Sequence, residues 1–350
     1  MVSEPEQNKT ISFGIPCYNS SEYMDHCIES ILEGSNYAPD VHIVIVDDGS
    51  TKDDTPQKAD EWAARYPDII DVVHQENGGH GIAVLSALRE ARGAYFKVVD
   101  SDDWVDGSAL QELLDCLRGF ITSDLPVDLV ITNYVYEHTA DNKQNVVDYH
   151  YALPRHKVMT WEDIGHFNLA QYLLMHSLCY RTAVLRDGGI PMPPHTFYVD
   201  NIYSYVPLPR CQMLYYLDVD LYRYFIGRED QSVNEKVMVQ RIDQNIRVTR
   251  IMMHSYHLFD EVNSVRLRNY MVNYLNLMMA VCSVFSRISN KPEDIEACDA
   301  LWDELKEYDR RMYSRASTSL MGFWTTLPTR AGEKLSIGIY RAAAKLVKFN

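Results

Sequence analysis

Basic residues are scarce in this sequence. Lys and Arg number 33 against 49 Asp and Glu over 350 residues, a formal net charge of −16. That balance excludes sequence-independent nucleic-acid binding, which needs a basic face. A phosphate-rich partner then requires local neutralisation, by a metal ion or by a few placed basic residues. Cysteine is sparse too: seven residues, an odd number, scattered from Cys17 to Cys298 without a C-x-x-C pair. Neither a disulfide framework nor a zinc site is expected, and a reducing cytosol fits. The chain lacks a G-x-x-x-x-G-K-[ST] loop, which removes the common nucleotide hydrolases. The opening segment MVSEPEQNKT has no apolar run of the kind a signal peptide needs, so export is not expected. The most apolar stretch, Tyr270 to Phe285, is shorter than a membrane span and interrupted by Asn273 and Asn276, so it reads as a core helix. No internal repeat or low-complexity block is present.

What is there is a globular composition, 46% hydrophobic, on a chain long enough for one large core and a second, smaller body. Short β-branched runs at Ile11–Ile15, Val41–Val46, Ile69–Val73, Tyr95–Val99 and Val127–Thr132 predict strands. Helical patterns lie between them at Ser21–Glu33, Asp54–Tyr66, Ile82–Ala91 and Ser108–Leu117. This alternation predicts an α/β domain: a Rossmann-like, mostly parallel sheet flanked by helices. The four loops that follow the first four strands, PCYNSSEY, DDGSTKDDT, HQENGGHG and DSDDWVD, then leave the sheet at one edge, where open α/β sheets bind ligands. Asn19, Asp48, Asn77, Gly79 and Asp100 are expected to converge there.

Each loop carries chemistry. Asp47 and Asp48, before Gly49 and Ser50, present a carboxylate able to accept a hydrogen bond from a uracil imide or a ribose hydroxyl; the alternative is a cap on the following turn or helix. The glycines of Asn77-Gly78-Gly79-His80-Gly81 allow close backbone approach to a nucleotide or sugar, although a glycine pair alone is also an ordinary turn. Asp100 and Asp102 form a D-x-D triplet, with Asp103 adjacent. Carboxylates gathered this way need open water or a compensating cation. A hard divalent ion completed by diphosphate oxygens and water suits the spacing. The competing assignment is a solvated turn with a helix cap, and the shared sheet edge favours the ion. The pair VDDGS also looks superficially like the acidic pair of a response-regulator receiver, but here it follows the second strand, not the first.

GIPCYNSSEYMDHCIESIL, VIVDDGSTKDDT, HQENGGHGIAVLSAL and GAYFKVVDSDDWVD resemble, in order and spacing, the successive motifs of family 2 glycosyltransferases with the GT-A fold. The resemblance is strong over about residues 9–118 and looser to about 235. It implies a GT-A domain over 1–235, with a nucleotide-sugar half at 9–118 and an acceptor half at 119–235, followed by a helical C-terminal region over 236–350. It implies an inverting, metal-dependent transferase acting in bacterial surface polysaccharide synthesis. The donor is a nucleotide-sugar, most often a UDP-sugar, with Mn²⁺ or Mg²⁺ at the D-x-D. Pro16, Tyr18 and Asn19 match the first nucleotide-contacting segment, and Asp48, beside Asp47, matches the aspartate that contacts the base. Asn77, Gly79 and Ser101 join the donor-facing set. Asp100 and Asp102 match the metal-binding motif, with Asp102 the direct ligand. One departure stands out: where many members have an arginine after the glycine pair, this chain has GGHGIAVLSAL, with His80 as a donor-sugar contact or a structural residue.

The resemblance extends to the base. Inverting transfer needs a group that removes the acceptor hydroxyl proton, and PPHTFYVDNIYSYVPL occupies the matching place, so Asp200 is the expected base although Val199 replaces the usual glutamate. In YRYFIGREDQSV, Arg228 is the candidate for the diphosphate, with a salt bridge to Glu229 or Asp230 the alternative. Trp104 stacks on a sugar or packs in the core. Helical spacing continues at Val237–Tyr256, Val265–Arg287, Pro292–Ser314 and Ala331–Phe349. The last of these is basic and amphipathic, which suits peripheral contact with the inner face of the cell membrane or docking on the acidic body of the same chain. The expected acceptor is a glycan or a lipid-linked sugar, the location cytoplasmic, and a homodimer is compatible with all of this. The alternative function is a non-catalytic GT-A module that binds nucleotide-sugar or glycan.

Overall fold

In the computed structural model, residues 8–138, 143–168, 171–227 and 235–319 are described. They divide into two compact units: the first ends at His166 and resumes over Leu173–Gly227, and the second takes Phe167–Tyr172 and everything described after Gly227.

The first unit opens β1 (Lys9–Cys17), α1 (Met24–Gly34), β2 (Val41–Asp47), α2 (Thr55–Arg65), β3 (Ile70–His74), α3 (His80–Glu90), β4 (Gly93–Val98). It continues β5 (Trp104–Val105), α4 (Gly107–Thr122), β6 (Leu129–His138), β7 (Lys143–Val147), β8 (Val158–Met159), β9 (Leu178–Arg181), α5 (Thr182–Gly188), α6 (Asp200–Tyr205) and β10 (Leu214–Ile226). The sheet runs β3-β2-β1-β4-β9-β6-β10-β5, with β7 on β6 and β8 on β10. β1 is parallel to both β2 and β4, and β2 to β3. These strands are near-continuous apolar runs because helices cover both faces: Ile43, Val44, Ile45 and Val46 are all fully buried. Chain order reverses about β1, which has β2 on one side and β4 on the other, so the loops after β1 and β4 frame a switch-point crevice.

Beyond β4 the sheet is mixed. β9 lies antiparallel between β4 and β6, through Tyr95 to Arg181 and Leu129 to Tyr180, while β10 is parallel to β6. α4 starts where Asp106 Oδ1 accepts the N–H groups of Ser108 (3.1 Å) and Ala109 (3.0 Å), an N-cap at the end of the acidic loop.

The second unit is helical among its described residues: α7 (Glu235–Gln240), α8 (Ile242–His254), α9 (Leu258–Glu261), α10 (Val265–Ser289), α11 (Pro292–Tyr308) and α12 (Arg310–Thr318). α10 holds the apolar stretch read as a core helix, and 72% of its most apolar window is buried. Ser264 Oγ caps its start through Leu267 N (3.2 Å), and Asn290 ends it in the left-handed region at φ 55°. Trp302 Nε1 on α11 donates to Ser283 Oγ on α10 at 2.9 Å. The expected helices around 237–256, 265–287 and 292–314 fall on these elements, whereas Ala331–Phe349 lies outside the described residues.

Candidate active site

The loops at the ends of β1, β2 and β3 are bonded to one another. Asn19, at φ 49°, accepts the N–H groups of Thr51 (3.1 Å) and Lys52 (3.0 Å) on Oδ1, and its own N–H donates to Ser50 Oγ (2.9 Å). Pro16 is buried in β1, and Tyr18, just past the end of that strand, is half-exposed. Asp47 Oδ1 accepts Ser50 N (3.0 Å) and its Oδ2 accepts His74 Nδ1 (3.0 Å).

Asp48 is buried and ties the second loop to the third. Its Oδ1 accepts Gln75 Nε2 (2.7 Å) and Gly78 N (2.8 Å), its Oδ2 accepts Gly79 N (2.8 Å), and its carbonyl accepts Asn77 Nδ2 (2.9 Å). The base or ribose contact expected of Asp48 therefore has to coexist with its grip on the glycine turn. Gly79 sits at φ 85°, and a Cβ there would lie 2.9 Å from His195 N. Both the backbone angle and the approach of His195 demand glycine.

The fourth loop carries the carboxylates. Asp100 Oδ1 accepts from His80 Nε2 at 2.8 Å, and its Oδ2 lies 3.9 Å from His176 Nε2. Burial works to raise the Asp100 pKa, but the charge and hydrogen bond of His80, and then the charge of His176, leave it below the ordinary carboxylate value. Burial would lower the His80 pKa; the charge and hydrogen bond of Asp100, with the charges of Asp200 and Asp102, raise it instead. Asp103 is buried, its Oδ2 accepting from Tyr222 Oη (2.5 Å) and its Oδ1 from Phe225 N (2.8 Å). Burial first, and then the charges of Asp102 and Asp100, push its pKa well up. Burial is the larger cause; the like-charge part is the condition a bound cation relieves. Ser101, also buried, lies against the Cys17 thiol.

Asp200 is the first residue of α6 and accepts from Asn201 Nδ2 at 3.3 Å. Burial raises its pKa, the His80 charge lowers it and the Asp100 charge raises it, to about 6. The alternative role of Asp200 as a helix cap is not the one seen: the N-cap position is Val199, without a side-chain cap bond. The residues before it are strained, with His195 at φ 47° and Tyr198 at φ 66°. Trp104 packs against His26, ring centroids 5.0 Å apart. Arg228 lies outside the described residues.

Three site residues have no sequence motif. His176 is buried, with ring centroids 4.7 Å from both Tyr222 and Tyr224, and its Nδ1 has no hydrogen-bond partner among the described residues. Burial pushes its pKa down to about 4 against the Asp100 charge. Lys97 on β4, fully buried, donates from Nζ to His176 O at 2.6 Å, and burial pushes its pKa down to about 8. The third is Tyr222, the donor to Asp103. The visible signal was Lys97 itself, a charge inside the apolar run YFKVV. Ligand atoms of Asp100, Asp103 and His176 lie within 4.8 Å of one another, so this donor set fits a divalent cation, with Asp102 in the same cluster. Asp103, its oxygens already bonded, is the least free of the three to turn.

Residues 12–162 match the family described as Glycosyl transferase family 2. Chondroitin synthase of Escherichia coli is 33% identical over 162 residues, 45% of this chain and 22% of the relative. The uncharacterised glycosyltransferase YibD of E. coli K12 is 24% identical over 250 residues, 69% of this chain and 70% of the relative. The crystal structure of S. aureus TarS 1-349 in complex with UDP-GlcNAc superposes with a TM-score of 0.67 at 17% identity, over 95% of this chain and 92% of that one. The chain spans between 22% and 35% of the length of the first curated relatives it matches. The sheet order and the likeness to TarS show the GT-A fold, and within it residues 12–162, which carry the four converging loops, match glycosyl transferase family 2.

Proposed function

We propose that this protein transfers a sugar, with inversion, from a nucleotide-sugar to a glycan or lipid-linked acceptor. The observation that carries this is the meeting of Asp100, Asp102, His80 and Asp200 as mutually interacting charges at the crevice where the family motifs end. A UDP-sugar is the first donor to consider, since the TarS relative is in complex with UDP-GlcNAc. The similarity to chondroitin synthase supports a glycan acceptor.

Asp100 and Asp102 would hold a divalent cation, with His176 Nε2 beside them. When bound, Mn²⁺ or Mg²⁺ neutralises charge on the departing diphosphate. The chain's own residues do the rest. Asp48 and Asn19 shape the nucleotide-facing loops. Asp200, raised to about 6, is still mostly ionised at neutral pH and more basic than an ordinary carboxylate, which suits proton removal. In the single step, the acceptor oxygen bonds to the anomeric carbon, its proton passes to Asp200, and the bond from that carbon to the diphosphate oxygen breaks with its electron pair leaving on the nucleotide.

Calorimetric titration with UDP, GDP, CDP and dTDP, each with Mn²⁺ and then with EDTA, tests this. Metal-dependent binding of a nucleoside diphosphate by wild type, lost in Asp102→Ala, is expected. Asp200→Asn should bind as wild type does while transfer falls by about 10²-fold or more, the contribution of a general base. Absence of nucleotide binding in wild type would sink the assignment; binding without any turnover of donor would favour a non-catalytic module.

A further inference from the structure

The segment Gly78–Gly81 faces two ways. Toward the second half of the unit, Gly78 O accepts from His195 N at 2.7 Å, and a Cβ on Gly81 would stand 3.0 Å from Met192 Cβ and 3.2 Å from Val199 Cγ2. These small residues let the chain that leads into Asp200 close directly on the start of α3. Toward the fourth loop, His80 projects from between the glycines and donates to Asp100 Oδ1 at 2.8 Å. This short segment thus connects the run-up to the candidate base, through its glycines, with the first carboxylate of the D-x-D, through His80.

The contact has a directional consequence. A carboxylate with one oxygen held by an N–H donor cannot swivel, so its other oxygen keeps one aim. Here that other oxygen, Asp100 Oδ2, faces the cluster and lies 3.9 Å from His176 Nε2. The hydrogen bonds that orient a ligating carboxylate tune metal affinity, and losing one typically costs about 10–100-fold.

We propose that His80 is a positioning residue that aims Asp100 at the cation and holds it in register with the segment carrying Asp200. This rests on the metal-dependent function proposed above. His80 stands in the GGHG sequence where many family 2 members have their arginine further on, so the bridge is a property of this chain's own pattern. The role differs from a donor-sugar contact in that His80 Nε2 is engaged by Asp100.

Mn²⁺ affinity in the presence of saturating UDP, read by paramagnetic resonance titration of the full chain, is the test. The variants are His80→Ala and His80→Gln, with thermal melts run beside each titration. His80→Ala is expected to weaken Mn²⁺ binding about 10-fold or more, while His80→Gln, which keeps an N–H donor, recovers most of that loss. Unchanged Mn²⁺ affinity in His80→Ala overturns the proposal. So does an equal loss in both variants that tracks their melting temperatures, which is what a packing role would produce. Wild type that binds UDP and Mn²⁺ keeps the proposed function standing in either case; wild type that binds neither removes that function and this bridge with it.

Discussion

His42 is fully buried, yet both of its ring nitrogens are bonded, and the partners fix its tautomer. Ser12 Oγ accepts the backbone N–H groups of Arg92 (2.9 Å) and Gly93 (2.7 Å), so its hydroxyl donates to His42 Nδ1 (2.9 Å). The proton of the neutral ring is then on Nε2, which donates to Asp71 Oδ2 at 3.1 Å. The order Ser, His, Asp looks like a nucleophilic triad, but Ser12 and His42 have no exposure, so no substrate reaches them. The network instead fastens the start of β4 to β1, β2 and β3. Burial pushes the His42 pKa below its ordinary 6.5, with Asp71 only partly offsetting it. A depressed folded pKa means that the stability contribution is complete above 6.5 and is lost as pH falls through the folded value, since the unfolded ring takes up its proton first. His42→Ala should cost about 2–4 kcal/mol, from the cavity and the unpaired Ser12 and Asp71. Urea midpoints from pH 7.5 to 5 should fall in wild type and much less in the variant; parallel profiles would refute the assignment. No motif announces His42, His176 or Lys97, because their partners come from strands far apart in the sequence. The D-x-D and Asp200 could be singled out as candidates because a family pattern and, for the D-x-D, the end of a strand mark them.

At the scale of elements, the parallel half was readable because strands buried on both faces are unbroken apolar runs, and their spacing by helices leaves one topology. β9 was not. Its four residues, LCYR, sit in an irregular stretch, and its place between β4 and β6 is set by pairing through Tyr180, not by periodicity. β10, 13 residues long, interrupts its pairing to β6 between Tyr216 and Asp220 and again before Tyr222, so its alternation is broken just where Tyr222 turns to Asp103. α10 was legible as a helix, and its burial decides what kind. Met279 is fully buried inside the second unit. Met279→Ala should therefore lose about 2–4 kcal/mol in detergent-free urea unfolding followed by circular dichroism. A negligible change would mean that this face of α10 is not packed against its own chain.

On the scale of the whole molecule, the charge of −16 bears on how the anionic donor of the proposed function would arrive. A basic nucleotide-binding protein draws nucleoside diphosphates in through a long-range field, and salt then slows association. On the proposed function the far field would repel the donor, and attraction would be confined to a cation held by Asp100 and Asp102. Raising ionic strength from about 0.01 M to about 0.15 M shortens the screening length from about 30 Å to about 8 Å. That removes the distant repulsion and leaves most of the short-range attraction between metal and diphosphate. With Mn²⁺ held saturating at every point, the association rate of UDP measured by stopped flow should therefore rise with salt. A steep fall would show that basic side chains, not a metal on Asp100 and Asp102, capture the diphosphate. The route of neutralisation that the composition demanded would then run through residues other than the D-x-D.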